Sequence, residues 1–213
     1  RWIRMPLPFA LDHINLWLVG EGEGVALVDC GYGDAPTRDL WSRHFATTLG
    51  SRAPARIVVT HYHPDHVGNA ACLGERFDRP VWMTGPEFLT AHAVQGGHSG
   101  HALADTCALF RAHGVDSDHI AALEARGNAY RRGVPALPAT YRRLFPGTTL
   151  KLGGSEFRVI AGYGHSPEHA SLHGADRRVL ISGDMLLPKI STNVAVWPAE
   201  PDADQLARLR AQE

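Results

Sequence analysis

The sequence predicts an α/β sandwich: two strand-rich halves, residues 14–83 and 148–184, with a helical stretch inserted between them. Three observations predict it. Short apolar runs bounded by glycine, proline or aspartate recur in both halves at strand length. In the first half they alternate with helix signals, as in layered α/β folds. Several of the runs also end at a histidine or aspartate, and a rigid scaffold commonly carries its site on such loops.

Ile14 to Val19 and Val25 to Val28 read as a hairpin about the Glu21–Gly24 turn, ending at Asp29-Cys30-Gly31. Asp34-Ala35-Pro36 opens a helix, with aspartate as N-cap and proline in the first turn, that closes at Gly50. Trp41 and Phe45, four apart, give it an apolar face. A strand at Ile57 follows, then one helix over Val67 to Phe77 and a strand over Pro80 to Met83. Residues 86–146 break the rhythm. They are Ala-rich with leucines at helical spacing, and are expected to form a helical insertion within a single domain spanning 1–213. The glycine turn at Gly153-Gly154 marks a second hairpin, Thr148–Leu152 with Phe157–Ile160. A third joins Ala170–His173 to Arg178–Ile181, and Asp204 starts a last helix.

The 21 Lys and Arg residues against 22 Asp and Glu give a net charge of −1, no electrostatic reason to expect a nucleic-acid partner. No apolar run approaches 18 residues, so no membrane span is expected. Cys30, Cys72 and Cys107 lie in no paired motif, which suits reduced thiols and a cytoplasmic location. The expected partner is a small-molecule substrate.

Thr60-His61-Tyr62-His63-Pro64-Asp65-His66 follows the apolar run Ile57–Val59. Neither strand nor helix packing requires three histidines and an aspartate within six residues, whereas imidazole and carboxylate suit zinc, iron or manganese. His61 and His63 alternate and can point to one side of an extended segment, and Pro64 biases His63 to that geometry. Asp29, just past a buried strand, reads either as a turn-forming cap or as a carboxylate accepting the free N–H of a metal-bound imidazole.

This His-x-His-x-Asp-His string resembles the signature of the metallo-β-lactamase-fold hydrolases, among them the glyoxalase II-like and lactonase-like members. The resemblance implies a four-layer αββα sandwich with two adjacent divalent metals, zinc foremost. It implies His61, His63 and His165 on the first metal, Asp65 and His66 on the second, and Asp184 bridging. His165 stands in Gly162-Tyr163-Gly164-His165-Ser166-Pro167-Glu168-His169, and Asp184 ends Ser182-Gly183-Asp184. Asp29, Thr60 and His169 are expected around the ligands. Glu168 stands where the family more often has glycine. The family's seventh ligand, a histidine, has no candidate after His173, so the second site is expected to be incomplete and the domain to lack its C-terminal part.

The chemistry so implied is hydrolysis of a small ester, thioester, lactone or β-lactam, with Asp65 orienting the water and passing its proton to the leaving group. An iron-dependent oxidoreductase of the persulfide dioxygenase kind is the alternative on the same scaffold. His92, His98, His101, His113 and His119 in the insertion read as ordinary helix-surface residues. The pairs Arg131-Arg132 and Arg142-Arg143 read as a solvated helix face more readily than as an anion clamp.

Overall fold

In the computed structural model, which describes residues 1–50 and 52–211, two sheets pack face to face. The first holds six strands in chain order: β1 (Trp2–Pro6), β2 (His13–Glu21), β3 (Gly24–Val28), β4 (Pro54–Val58), β5 (Val81–Thr84) and β6 (Tyr141–Leu144). β1 to β3 run antiparallel, while β3 to β6 are mutually parallel. The second sheet is an antiparallel meander of β7 (Thr149–Leu152), β8 (Ser155–Gly162), β9 (His169–Gly174) and β10 (Val179–Ile181).

Side-chain alternation divides the interior into two cores. Leu27 and Ile57 point outward against α1 (Ala35–Ala46), where Trp41 and Phe45 stack with centroids 5.4 Å apart, and against α3 (Ala70–Phe77). Their neighbours Ala26, Val28 and Val58 point inward and meet Leu150, Leu152, Phe157, Val159, Leu172 and Ile181 of the second sheet. The central strands are therefore apolar on both faces, which is why they read as continuous runs. β8 is apolar on one face only: Phe157 and Val159 are buried, while Glu156, Arg158 and Ile160 are exposed. Among the described residues no helix is long and apolar enough to cross a membrane.

The boundaries depart from expectation in three places. The helix expected over Val67–Phe77 is two helices, α2 (Pro64–Val67) and α3, separated at Gly68-Asn69. The break lets the Asn69 amide donate to the carbonyl of Tyr32 at 2.7 Å. The stretch 86–146 is not helical throughout. α4 (Gly85–Gly96), α5 (Leu103–Ala112), α6 (Ser117–Arg126) and α7 (Tyr130–Gly133) occupy its first part, but Tyr141–Leu144 is the edge strand β6. Its exposed Arg142 and Arg143 suit an edge, where charge discourages further pairing. β1 is a five-residue strand with alternating burial that the sequence reading passed over, closed by Pro6 at the other edge.

Gly33, Gly68 and Gly133 meet where α7 docks beside the loop after β3. The Gly33 amide donates to the Gly133 carbonyl at 2.8 Å. A Cβ on Gly33 would stand 2.5 Å from that oxygen and 2.6 Å from the Gly68 carbonyl, both rigid backbone. Gly33→Ala should therefore cost about 1–3 kcal/mol as an overpacked contact. A urea-melt midpoint unchanged from the parent would show that the junction yields.

Candidate metal centre

The ends of the strands bring the polar residues of both halves to one place. β4 delivers His61 and His63, and α2, opened by Pro64, carries Asp65 and His66 back toward them. β8 delivers His165. Asp184 lies in a single 3-10 turn after β10. His61 Nε2 is 3.1 Å from His165 Nε2 and 2.9 Å from His63 Nδ1, across 104 residues of chain in the first case. His61, His63, His165 and Asp184 each offer one atom to a group lying within 4.8 Å of one another. Asp65, His66 and Asp184 form a second such group, so Asp184 belongs to both. The histidines of the 86–146 stretch are elsewhere: His92 faces the Pro138 carbonyl and His119 faces Asp116.

Surrounding acceptors fix the protons on these rings. His66 Nδ1 lies 2.9 Å from Asp29 Oδ2, and His165 Nδ1 lies 2.9 Å from the Asn193 carbonyl. A carboxylate and a carbonyl only accept, so both rings carry hydrogen on Nδ1, and the neutral His165 ring presents Nε2 as a lone pair. Thr60 Oγ1 sits 3.0 Å from both Asp29 oxygens and 3.0 Å from His61 Nδ1. With its own proton given to Asp29, the hydroxyl accepts from His61 Nδ1, which frees His61 Nε2 as well. Lone pairs of His61 and His165 then face each other at 3.1 Å, an arrangement that calls for a cation between them. Ligands about 2.0–2.3 Å from a tetrahedral zinc stand roughly 3.3–3.7 Å apart; the His165–Asp184 separation of 3.6 Å matches, and the imidazole pairs at 2.9 and 3.1 Å would open by a few tenths of an ångström around such an ion. Among the described residues the buried His66 Nε2 has no hydrogen-bond partner, and the Asp184 and Asp65 carboxylates lie 3.3 and 3.6 Å from it.

Burial and charge agree with this division. Burial lowers His61 well below the ordinary imidazole value and takes His63 to about 3, with the other histidines adding to the effect, so both rings stay neutral. For His66 burial acts downward too, but Asp184, Asp29 and Asp65 together lift it well above its usual range. Burial would raise Asp184, yet His66, His165 and His63 hold it well below the usual carboxylate range. Asp65 is raised, mainly by burial, with His66 opposing.

The supporting residues are held as tightly. Asp29 takes a left-handed φ of +68°, which few aspartates adopt, and there accepts the Thr60 amide at 2.7 Å in addition to its other contacts. His169 is fully buried rather than a cap or a surface residue, and its Nε2 accepts the Asp184 amide at 3.2 Å. Gly183 makes that approach possible, because a Cβ there would meet His169 Nε2 at 2.4 Å. Trp197 stands over the Tyr62 and His63 rings, 5.8 and 6.5 Å between centroids.

The sequence reading missed Glu87, Tyr130, Ser166, Asn193 and Trp197. Asn193 acts through its backbone carbonyl, which no residue type announces. Glu87, in the first turn of α4, looks like an ordinary dipole-favoured glutamate, although it follows a strand end just as the ligands do. Arg131 donates to the Gln95 carbonyl and Arg132 to the Arg126 carbonyl, so neither guanidinium is directed at the cluster.

Comparisons with known proteins agree with the geometry. A sequence family described as the metallo-beta-lactamase superfamily matches residues 10–212. A beta-lactamase domain protein from Burkholderia ambifaria superposes with a TM-score of 0.85 at 42% identity, covering 100% of this chain and 62% of that one. A hydroxyacylglutathione hydrolase from Halorhodospira halophila is 28% identical over 95% of this chain and 72% of its own length. A human acyl-coenzyme A thioesterase is 26% identical over 87% of this chain and 62% of its own. The chain spans about half the length of some other curated relatives it matches.

Removing the Asp29 carboxylate leaves the Thr60 amide and the His66 Nδ1–H buried without their acceptor. Asp29→Ala should weaken zinc binding about 10- to 100-fold, the usual cost of losing a carboxylate behind a metal-bound histidine. Competition titration against a chromophoric chelator measures this, and parent-like affinity would reduce Asp29 to a turn residue.

Proposed function

The chain belongs to the metallo-β-lactamase superfamily, and from that premise we propose that it is a metal-dependent hydrolase of a small thioester or related ester. One observation carries the reading: the facing lone pairs of His61 and His165, 3.1 Å apart, with His63 and the ionised Asp184 beside them. The hydroxyacylglutathione hydrolase and acyl-coenzyme A thioesterase relatives favour a thioester over a lactone or β-lactam.

His61, His63 and His165 would hold one divalent ion, Asp65 and His66 a second, and Asp184 would serve both. Zinc suits the donors, three neutral imidazoles being a common catalytic zinc set, and iron or manganese suits imidazole and carboxylate as well. When bound, such ions acidify a water to near neutrality and polarise a substrate carbonyl. The residues supply the rest. The neutral imidazoles, unlike carboxylates, would leave the positive charge of bound ions available to a carbonyl oxygen. Asp184 remains an anion across the working range and keeps the two groups together. Asp65, raised by burial, holds a proton more readily than an exposed aspartate, which suits it to take one from the attacking water and give it to the leaving thiolate. Trp197 and Tyr62 flank His63 and offer apolar surface to an acyl group.

Two outcomes are expected. Asp184→Asn should lose bound metal and at least about 100-fold in kcat/KM on an acyl-glutathione or acyl-coenzyme A thioester, since it removes a charge used in both groups. Full metal content with unchanged turnover would sink the assignment. Among the described residues the second group has three protein donors against four in the first, so zinc titration of this chain should give one tight equivalent and a second at least about tenfold weaker. Two equally tight equivalents would contradict the division. Elemental analysis of the purified protein separates zinc from iron, and iron together with oxygen uptake would favour oxidation over hydrolysis.

A further inference from the structure

Apart from Asp29, Glu87 is the one buried carboxylate among the described residues that belongs to neither ligand group. A glutamate in a first helical turn usually stands in solvent near its own helix's free amides. This one turns away from them. Its Oε2 accepts the Tyr62 amide at 2.9 Å, and its Oε1 accepts the Ser166 hydroxyl at 2.6 Å and the Glu168 amide at 2.7 Å. Tyr62 lies between His61 and His63, and Ser166 follows His165. A single carboxylate therefore joins the two loops that supply all three imidazoles of the first group.

Neighbouring bonds act in the same sense. Tyr130 Oη donates to the Tyr62 carbonyl at 2.7 Å, so that residue's backbone is gripped at both its N–H and its C=O. Thr84 Oγ1 donates to the Glu168 carbonyl at 2.8 Å. One direct backbone bond also crosses between the loops, from the Ala170 amide to the Thr60 carbonyl at 2.8 Å, but it joins residues outside the Tyr62 and Ser166 contacts, five residues past His165 on that side. The His61 and His165 loops come from different sheets, so strand pairing does not fix their spacing near the rings. Glu87, from a third element, does.

We propose that Glu87 is a positioning residue that sets the separation of the His61–His63 and His165 imidazoles, and through it the metal affinity of the first group. The inference rests on the metal-centre reading above. Its chemistry is specific to a carboxylate. All three partners donate, and two are backbone N–H groups that cannot do otherwise. A glutamine offers one oxygen and one NH2 group. Whichever way its amide turns, NH2 faces a buried N–H at Tyr62 or at Glu168, and one loop is pushed away. Glu87→Gln therefore changes shape very little and spacing directly.

The test is cobalt(II) titration of metal-free protein, followed by the visible ligand-field absorption, with urea melts run alongside. Glu87→Gln should bind cobalt about tenfold or more weakly, the scale expected for loss of an outer hydrogen bond at a metal site, with an altered band. Ser166→Ala removes one of the three donors and should weaken binding less, in the same direction. Ile120→Ala, in the buried face of α6, is the control: it should lower the melt midpoint and leave cobalt affinity within about twofold, because it touches neither loop. A folded Glu87→Gln protein that binds cobalt like the parent overturns the proposal. Should Glu87→Gln fail to fold, Ser166→Ala decides: weakened binding against an unchanged control supports the proposal, and parent-like binding overturns it. A parent protein that gives no ligand-field band refutes the metal-centre reading itself, which is a separate result.

Discussion

The structure depends on one unfavourable approach: imidazole lone pairs facing each other at 3.1 Å, buried, where water cannot separate them. Two neutral acceptors so placed repel, and nothing within the protein lies between them to donate. A cation turns that repulsion into coordination. Much of what surrounds the cluster can be understood as holding the acceptors in this posture. Asp29 and Thr60 accept from the outer N–H groups of His66 and His61, the Asn193 carbonyl does so for His165, and Glu87 keeps the loops from parting. Each contact is an ordinary hydrogen bond, worth about 0.5–1.5 kcal/mol, or about twice that where a carboxylate takes part. Their collective effect is geometric: they remove the rotations by which the rings would escape one another.

The same reasoning explains why the site lies between sheets. The two hydrophobic cores are stable assemblies of different side chains, one under α1 and α3 and one between the sheets. Neither needs the histidines. Strand ends at the rim of the inter-sheet core are rigid up to their last paired residue and free beyond it. A ligand loop can therefore be aimed without disturbing packing. His61 follows the last residue of β4, Val58, by three, and His165 follows the last paired residue of β8, Gly162, by three.

Much of the ligand set was legible in the sequence because it is local and chemically unusual. Four potential donors in six residues cannot be mistaken for a packing pattern, and the Ser-Gly-Asp ending of a strand run marks a position where Gly183 must leave room for His169. What was not legible has particular causes. β6 was hidden because Tyr-Arg-Arg-Leu has no apolar alternation, only an edge's charge. The 67–77 helix reads as one because the Gly68 break serves the Asn69 contact with Tyr32, 37 residues away in sequence. Glu87 was hidden because its residue type is so common at a helix start that position alone says nothing. Its partners are two backbone amides and a serine, and a sequence does not display backbone amides as targets.

That last case bears on how the two halves become one site. The first group draws its donors from both, and the segment between them touches both ligand loops through Glu87 of α4 and Tyr130 of α7, with Thr84 at the end of β5 beside them. Burial pushes the Glu87 carboxyl up to about 7, while Ser166, Glu168 and Tyr62 pull against that rise. A buried carboxylate stabilised only by donors is costly wherever those donors are missing. It therefore favours the one arrangement in which both loops have arrived. Before the halves dock, Glu87 is better left in water; once docked, it holds Tyr62 and Ser166 at a fixed distance. The order of causes runs from docking of the sheets, to capture of the loops, to the spacing of the imidazoles, and only then to the cation.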